Sequence, residues 1–339
     1  WPELQRQVAS FALTLRELGV GRGDRVAAYL PNVPETIVAF LACASLGAIW
    51  SVCAPDMGTQ AVTDRFQQIT PRVLIAADGV YYAGKSIDRA DTVTALRAAL
   101  PTVENLIVLQ SAHSRGVQSG VDLTFAQAIA RDDEAVRSFQ PEWLPFDHPL
   151  WVVYSSGTTG LPKPLVHGHG GIITIVAAIG KHNDIGASYA ANSFGERFHW
   201  YSSTGWIMWN TQLSGLLEGA TICLFDGSPG GSKEAPDWTV LWRFAARHKV
   251  TYFGAGAAFY ANCMKAGIDI AACGDLTRVR ALGSTGSPLS EDVQCWGTEQ
   301  FERIGTPGIW WNNLSGGTDF AGIFVGGHRE LPNEPGVMQ

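Results

Sequence analysis

Arg25-Val26-Ala27-Ala28-Tyr29-Leu30 is followed by Pro34-Glu35, which opens a helix, by Gly47, which ends it, and by Ala48-Ile49-Trp50-Ser51-Val52. Both apolar runs have the length of a buried strand, and the segment between them is long enough to carry the chain back across a sheet. Strand, helix of ten or more residues, strand: that order implies a parallel βαβ unit with helices covering both faces. The stretch from Thr36 to Pro55 carries no charge, and its ~20 residues would reach across a membrane. Its small residues, its internal Gly47 and the Pro34 start fit a buried helix and strand better than a transmembrane helix.

Working outward, the alternation continues in both directions. Residues 4–18 form an amphipathic pattern closed by Gly19, and Gly21-Arg22-Gly23-Asp24 reads as a tight turn. Downstream, helical patterns at 60–69 and 92–100 alternate with apolar strands at 73–76 and 106–109. Residues 116–149 are more polar, with a short helix expected at 125–130. The pattern then resumes with strands at 151–154, 220–225, 250–253 and 278–282 and helices at 171–181 and 237–249. The expected fold class is α/β, in two doubly wound lobes of about residues 1–110 and 150–339.

Composition narrows the function classes. Lys plus Arg number 24 against 31 Asp plus Glu, a net charge of −7, and apolar types make up 46% of the chain. Such a chain buries a large core and lacks the broad basic footprint of a nucleic-acid or membrane-surface protein. It leaves room for a local basic pocket. Cys43, Cys53, Cys223, Cys263, Cys273 and Cys295 form no CxxC pair and most sit in apolar runs, which fits reduced, buried thiols in a cytoplasmic protein. The chain opens at Trp1 without a methionine and closes on a loop, so it is expected to be cut at both ends.

Tyr154-Ser155-Ser156-Gly157-Thr158-Thr159-Gly160-Leu161-Pro162-Lys163 carries the chemistry. Glycines let a backbone turn back and present N–H groups, the hydroxyls add donors, and the lysine adds a point charge. Together these are what a polyphosphate needs. A Ser/Thr/Gly-rich surface loop has a similar composition; the density of hydroxyls between a buried strand and a lysine favours phosphate. It is not a Walker A loop, because Pro162 stands before Lys163 and no Ser or Thr follows it.

This residue order resembles the phosphate loop of the acyl-adenylate-forming superfamily, which includes acyl-CoA synthetases, peptide-synthetase adenylation domains and luciferases. Leu282-Gly283-Ser284-Thr285-Gly286-Ser287-Pro288-Leu289 resembles that family's adenine-side loop, and Ser315-Gly316-Gly317-Thr318-Asp319 its Gly-x-Thr-Glu motif, with Asp in place of Glu. Ser203-Thr204-Gly205-Trp206-Ile207 is similar to the carboxylate-pocket segment of the acetyl-activating branch. The motifs fall in the family's order and span essentially the whole chain. His167-Gly168-His169-Gly170-Gly171 and the Ser-Gly-Gly-Thr-Asp motif look most like the branch that activates acetoacetate. There Gly316 falls where the acetyl enzymes carry a tryptophan, so the resemblance implies a pocket open to a four-carbon keto acid.

The resemblance implies the large N-terminal domain of such an enzyme, without its small C-terminal lid. It implies ATP, Mg²⁺ and CoA as cofactor and substrates. Ser155, Ser156, Gly157, Thr158, Thr159 and Gly160 would cradle the β- and γ-phosphates, with Lys163 adding charge. Thr318 would contact the α-phosphate, and Asp319 would hold the metal, its shorter side chain leaving direct or water-mediated contact open. Gly283, Ser284, Thr285, Gly286 and Ser287 would pack the adenine, and Trp206, Ile207, Gly254 and Gly316 would shape the acid pocket. Acetyl- or propionyl-type ligases and an ATP-binding module without turnover remain the alternatives. His199 reads as a buried structural histidine, and His167 and His169 lack the acidic or cysteine partners of a metal site. Trp200, Trp209, Trp310 and Trp311 read as packing.

Overall fold

Short parallel strands, six in one sheet and five in another, explain why the apolar runs alternate with helices. The computed structural model describes residues 1–155, 160–186 and 195–338. Its chain divides into two units, Trp1–Ile172 with Ser203–Gly205, and Ile173–Ser202 with Trp206–Gln339.

In the first unit, α1 (Pro2–Glu17) leads to β1 (Arg25–Tyr29), α2 (Pro34–Leu46) and β2 (Ile49–Cys53). The charge-free stretch thus resolves into a 13-residue helix and a strand. Gly47 caps α2 at a φ of +68°, a conformation that only glycine adopts without cost. Among the described residues no helix is long and apolar enough to cross a membrane. After α3 (Thr59–Phe66) come β3 (Val73–Ala77) and a hairpin of β4 (Gly79–Tyr82) and β5 (Lys85–Asp88). The hairpin was not expected from the sequence. Its turn is Ala83-Gly84, both at positive φ, where the usual Asn or Asp signal is missing. Then follow α4 (Ala90–Ala99), β6 (Asn105–Leu109), β7 (Leu123–Thr124), α5 (Phe125–Ala128), α6 (Glu134–Arg137), β8 (Pro149–Ser155) and β9 (Lys163–Gly168).

The sheet order is β7-β6-β3-β1-β2-β8-β9, parallel except for the edge strand β9. Residues 149–168 therefore lie in the first sheet, and the division of the chain falls at 172/173, not near 150. Packing sets this: β8 pairs with β2 at Trp50 and Trp151, and both indoles close on Phe40. The second helix-covered face is filled by Phe66, Leu74, Val93 and Leu106.

In the second unit, α7 (His169–His182), which carries the chain across the division, precedes β10 (Arg197–Trp200), α8 (Ile207–Leu213) and β11 (Thr221–Ile222). Next are α9 (Val240–Arg247), β12 (Tyr252–Gly256), α10 (Ala257–Lys265), β13 (Ala281–Thr285), α11 (Glu291–Ile304) and β14 (Trp310–Asn313). A small antiparallel pair, β15 (Ser315–Gly317) and β16 (Gly322–Val325), follows. The five parallel strands run β11-β10-β12-β13-β14. One face is an aromatic core of Trp242, Phe253, Phe259, Tyr260 and Trp311; the other holds Phe198, Trp200, Tyr252 and Trp310. Trp200, Trp209, Trp310 and Trp311 are all buried, as the sequence suggested.

Candidate active site

The Ser/Thr/Gly stretch is the loop of a β-hairpin in the first unit. Ser155 ends β8 and pairs with Lys163, which begins β9. Ser156, Gly157, Thr158 and Thr159 lie outside the described residues. Gly160 has a φ of +111°, and a Cβ there would meet nothing, so the glycine serves backbone conformation and not packing. Two bonds hold the hairpin's ends to α3 and the turn after it. The Tyr154 hydroxyl donates to the Arg65 carbonyl at 2.8 Å, and Gln68 Nε2 donates to the Pro162 carbonyl at 3.0 Å. Lys163 is exposed. In sequence β9 lies between this stretch and α7, so no helix terminus directly follows it as one does in P-loops.

The second unit encloses a cavity of about 350 Å³. It lies at the carboxyl ends of β13 and β14, where open α/β sheets place their ligands. Thr285, Gly286 and Ser287 line one side, Gly316 and Thr318 another, and Trp206 and Ile207 a third. Residues 206–207, 285–287 and 316–318, far apart in sequence, thus line one cavity. Two bonds clamp the strand ends together: Thr285 Oγ1 donates to the Leu314 carbonyl at 2.7 Å, and the Leu314 amide to the Ser284 carbonyl at 2.9 Å. Gly286, at a φ of +89°, leaves a Cβ position 3.6 Å from the Trp206 indole. That distance is ordinary contact, so it is the left-handed backbone, not room for the indole, that favours glycine here.

The profile of the AMP-binding enzyme family matches residues 1–310. The chain belongs to the AMP-binding enzyme family. It is 40% identical over 343 residues to the acetoacetyl-coenzyme A synthetase of Rhizobium meliloti (strain 1021), covering all of this chain and 50% of the relative. The acetoacetyl-CoA synthetase of Danio rerio is 34% identical over 346 residues, 99% of this chain and 49% of its own. A solved structure, the acetoacetyl-CoA synthetase from Streptomyces lividans, superposes with a TM-score of 0.90 at 46% identity, covering all of this chain and 50% of that one. The chain spans about half the length of the relatives it matches.

Not every expected site residue of this chain faces the cavity. Gly254 and Gly283 do not line it. Parallel pairing puts Trp200, Gly254 and Gly283 in one row across β10, β12 and β13, and a Cβ on either glycine would overlap the Trp200 indole. Their smallness makes room for a core tryptophan. Ser284 is 2% exposed, its hydroxyl without a hydrogen-bond partner among the described residues and outside the lining. Gly316 lines the cavity, but its Cβ position points at the Gly322 carbonyl across the hairpin.

Asp319 is exposed in the turn between β15 and β16 and is not part of the lining. Among the described residues no group of three or more His, Cys, Asp or Glu could hold a metal. A single carboxylate is compatible with Mg²⁺ that arrives on a nucleotide, since that ion keeps several waters and takes other ligands from phosphates.

The cavity also has a wall that the motifs did not mark. Met208 and Thr211 of α8, Ile179 of α7 and Ile323 of β16 complete it. Ile207, Met208 and Thr211 follow the i, i+1, i+4 spacing of one helix face, a signal present in the sequence but hidden because α8 was not expected. Two of the histidines, His199 and His167, are bonded to neighbouring groups. His199 Nδ1 donates to the Cys223 carbonyl at 2.7 Å, and burial pushes its pKa down to about 4. His167 Nδ1 accepts from the Trp151 indole N–H at 2.9 Å.

Proposed function

We propose that the full-length protein is an AMP-forming acid–CoA ligase that activates acetoacetate. The observation that carries this reading is the cavity at the ends of β13 and β14, where the Thr285–Ser287 loop, the Gly316–Thr318 motif and Trp206 meet. The names of the relatives support the acid. At about 350 Å³ the cavity falls within the ~300–1,000 Å³ typical of ligand sites.

In the first half-reaction a carboxylate oxygen of acetoacetate attacks the α-phosphorus of ATP, the bond to the β-phosphate oxygen breaks, and acetoacetyl-AMP and pyrophosphate form. In the second, the CoA thiolate attacks the acyl carbon and AMP leaves. No protein nucleophile is needed, so catalysis is positioning and charge neutralisation. Ser155 through Gly160 and Lys163 would bind the β- and γ-phosphates. Thr318 would donate to the α-phosphate, and Thr285, Gly286 and Ser287 would hold the adenine, with Ser284 behind them. Trp206, Ile207 and Gly316 would bound the acid, with Gly254 and Gly283 acting indirectly by seating Trp200. Asp319 would hold Mg²⁺, which when bound neutralises phosphate charge.

The cysteines support a cytoplasmic location: all six are free, and Cys43, Cys53, Cys223 and Cys263 are buried, as in proteins of a reducing compartment. ATP–pyrophosphate exchange by the full-length protein with acetoacetate, butyrate and acetate tests the reading. Acetoacetate-dependent exchange is expected, with acetate poorer. Its absence would refute the acid assigned, and ADP as product would refute the reaction class.

A further inference from the structure

We infer that Thr211 reads the ketone oxygen of the acid, so that a hydroxyl on α8 separates a β-keto acid from a saturated acid of the same length. The inference rests on the ligase reading above and names the group within that cavity that recognises its substrate.

Sorting the polar side chains of the cavity leads to this residue. Thr285 spends its hydroxyl proton on the Leu314 carbonyl at 2.7 Å. Ser287, Ser315 and Thr318 belong to the loops and hairpin that follow β13 and β14, the side assigned to the nucleotide. The wall built by α7 and α8 is apolar at Ile179, Ile207 and Met208, with the Trp206 indole at the start of α8, and Thr211 carries the one side-chain hydroxyl on it.

The Thr211 proton is poorly used within its own helix. Its Oγ1 lies 3.3 Å from the Ile207 carbonyl and 3.8 Å from Met208 Sδ. The first is long for an O–H···O bond, whose usual length is about 2.7–2.8 Å, and a thioether is a weak acceptor. A ketone oxygen, which can only accept, offers this donor a better partner in a half-buried setting. Acetoacetate and butyrate share four carbons, a methyl end and a carboxylate. They differ at the third carbon, which is a ketone in one and a methylene in the other. An apolar wall of fixed shape separates such near-isosteres weakly, whereas a placed hydrogen-bond donor separates them strongly.

The experiment is ATP–pyrophosphate exchange by the full-length protein with acetoacetate and with butyrate, comparing wild type with T211V, T211A and T211S. T211V removes the hydroxyl at constant shape, T211A removes it without adding bulk, and T211S keeps it. The ratio of kcat/KM for acetoacetate to that for butyrate is expected to fall roughly 5- to 30-fold in T211V and T211A, the usual loss when a buried acceptor goes unpaired, and to survive in T211S. A ratio unchanged in T211V and T211A, with both acids affected alike, would make Thr211 a packing residue and overturn the inference alone. A wild-type protein that exchanges with butyrate or acetate but not acetoacetate would overturn the ligase reading's choice of acid and this inference with it.

Discussion

Gly316 and Gly322 meet across the β15–β16 hairpin so closely that a Cβ on Gly316 would overlap the Gly322 carbonyl oxygen. By resemblance, Gly316 stands where a missing indole would open the acid pocket. The hairpin adds a second reason for glycine, because any side chain there must first push β16 aside. G316A is therefore expected to lower stability by roughly 1–3 kcal/mol, the usual cost of overpacking, and to weaken exchange with every acid. Thermal unfolding and the exchange assay check both. Unchanged stability, with a range of acids shifted toward acetate, would show that the side chain enters the cavity instead.

The row Trp200, Gly254, Gly283 makes a comparable demand inside the sheet. The indole is 1% exposed and occupies the space that a Cβ on either glycine would take. G254A should cost roughly 1–3 kcal/mol in the wild-type background. W200A should cost roughly 3–5 kcal/mol through the void it leaves. Because both changes act on one volume, the double variant should be more stable than the sum of the two losses predicts. Urea unfolding of the four proteins measures this, and strict additivity would mean that the glycines and the indole do not share the space.

How legible the site was depends on what a residue's pattern reports. The β1–α2–β2 order was readable because Pro34, Gly47 and two apolar runs act locally. The Thr285–Ser287, Gly316–Thr318 and Trp206 stretches were readable as motifs, and the parallel register then brought them to one cavity. The roles of Gly254 and Gly283 were not readable: a glycine that seats a ligand and one that seats a tryptophan look alike in sequence. Only the pairing of β10 with β12 and of β12 with β13 distinguishes them. Thr211 was invisible for a related reason, since α8 is a single short helix of seven residues whose amphipathic period never completes a second turn of signal. β14 was hidden by its composition, Trp310-Trp311-Asn312-Asn313, half of it amide side chains that are uncommon in strands.

His199 gives the unit a pH dependence whose sign is fixed. Its folded pKa, about 4, lies below the ~6.5 of an exposed histidine, so the unfolded chain binds the proton more readily. The stabilisation is complete above the unfolded value and is lost progressively as pH falls from about 6.5 toward 4. For a shift of this size the loss is on the order of 3 kcal/mol. H199Q, which can still donate to the Cys223 carbonyl, should flatten that part of the stability–pH curve relative to wild type. Urea midpoints between pH 4 and 7 would show the difference, and parallel curves for the two proteins would exclude His199 as the cause.

Lys163 separates a binding role from a structural one. It is exposed at the start of β9, opposite Ser155, and the hairpin is held by other groups: Gln68 on the Pro162 carbonyl and Tyr154 on the Arg65 carbonyl. Removing its charge should leave the fold alone, since exposed substitutions usually change stability by no more than about 0.5 kcal/mol. If Lys163 contacts the nucleotide's outer phosphates, K163M loses a charge-assisted bond worth about 1.5–3 kcal/mol, a fall of roughly 10- to 100-fold in kcat/KM for ATP. K163R keeps the charge but spreads it over a planar fork, so partial recovery is expected. Q68A should act in the same direction but more weakly, because it frees the loop's end without removing a charge. Pyrophosphate exchange at varied ATP, with thermal unfolding of each variant alongside, reads all three. An unaltered dependence on ATP in K163M, accompanied by a lower melting temperature, would make Lys163 a strand residue and move the phosphate site elsewhere.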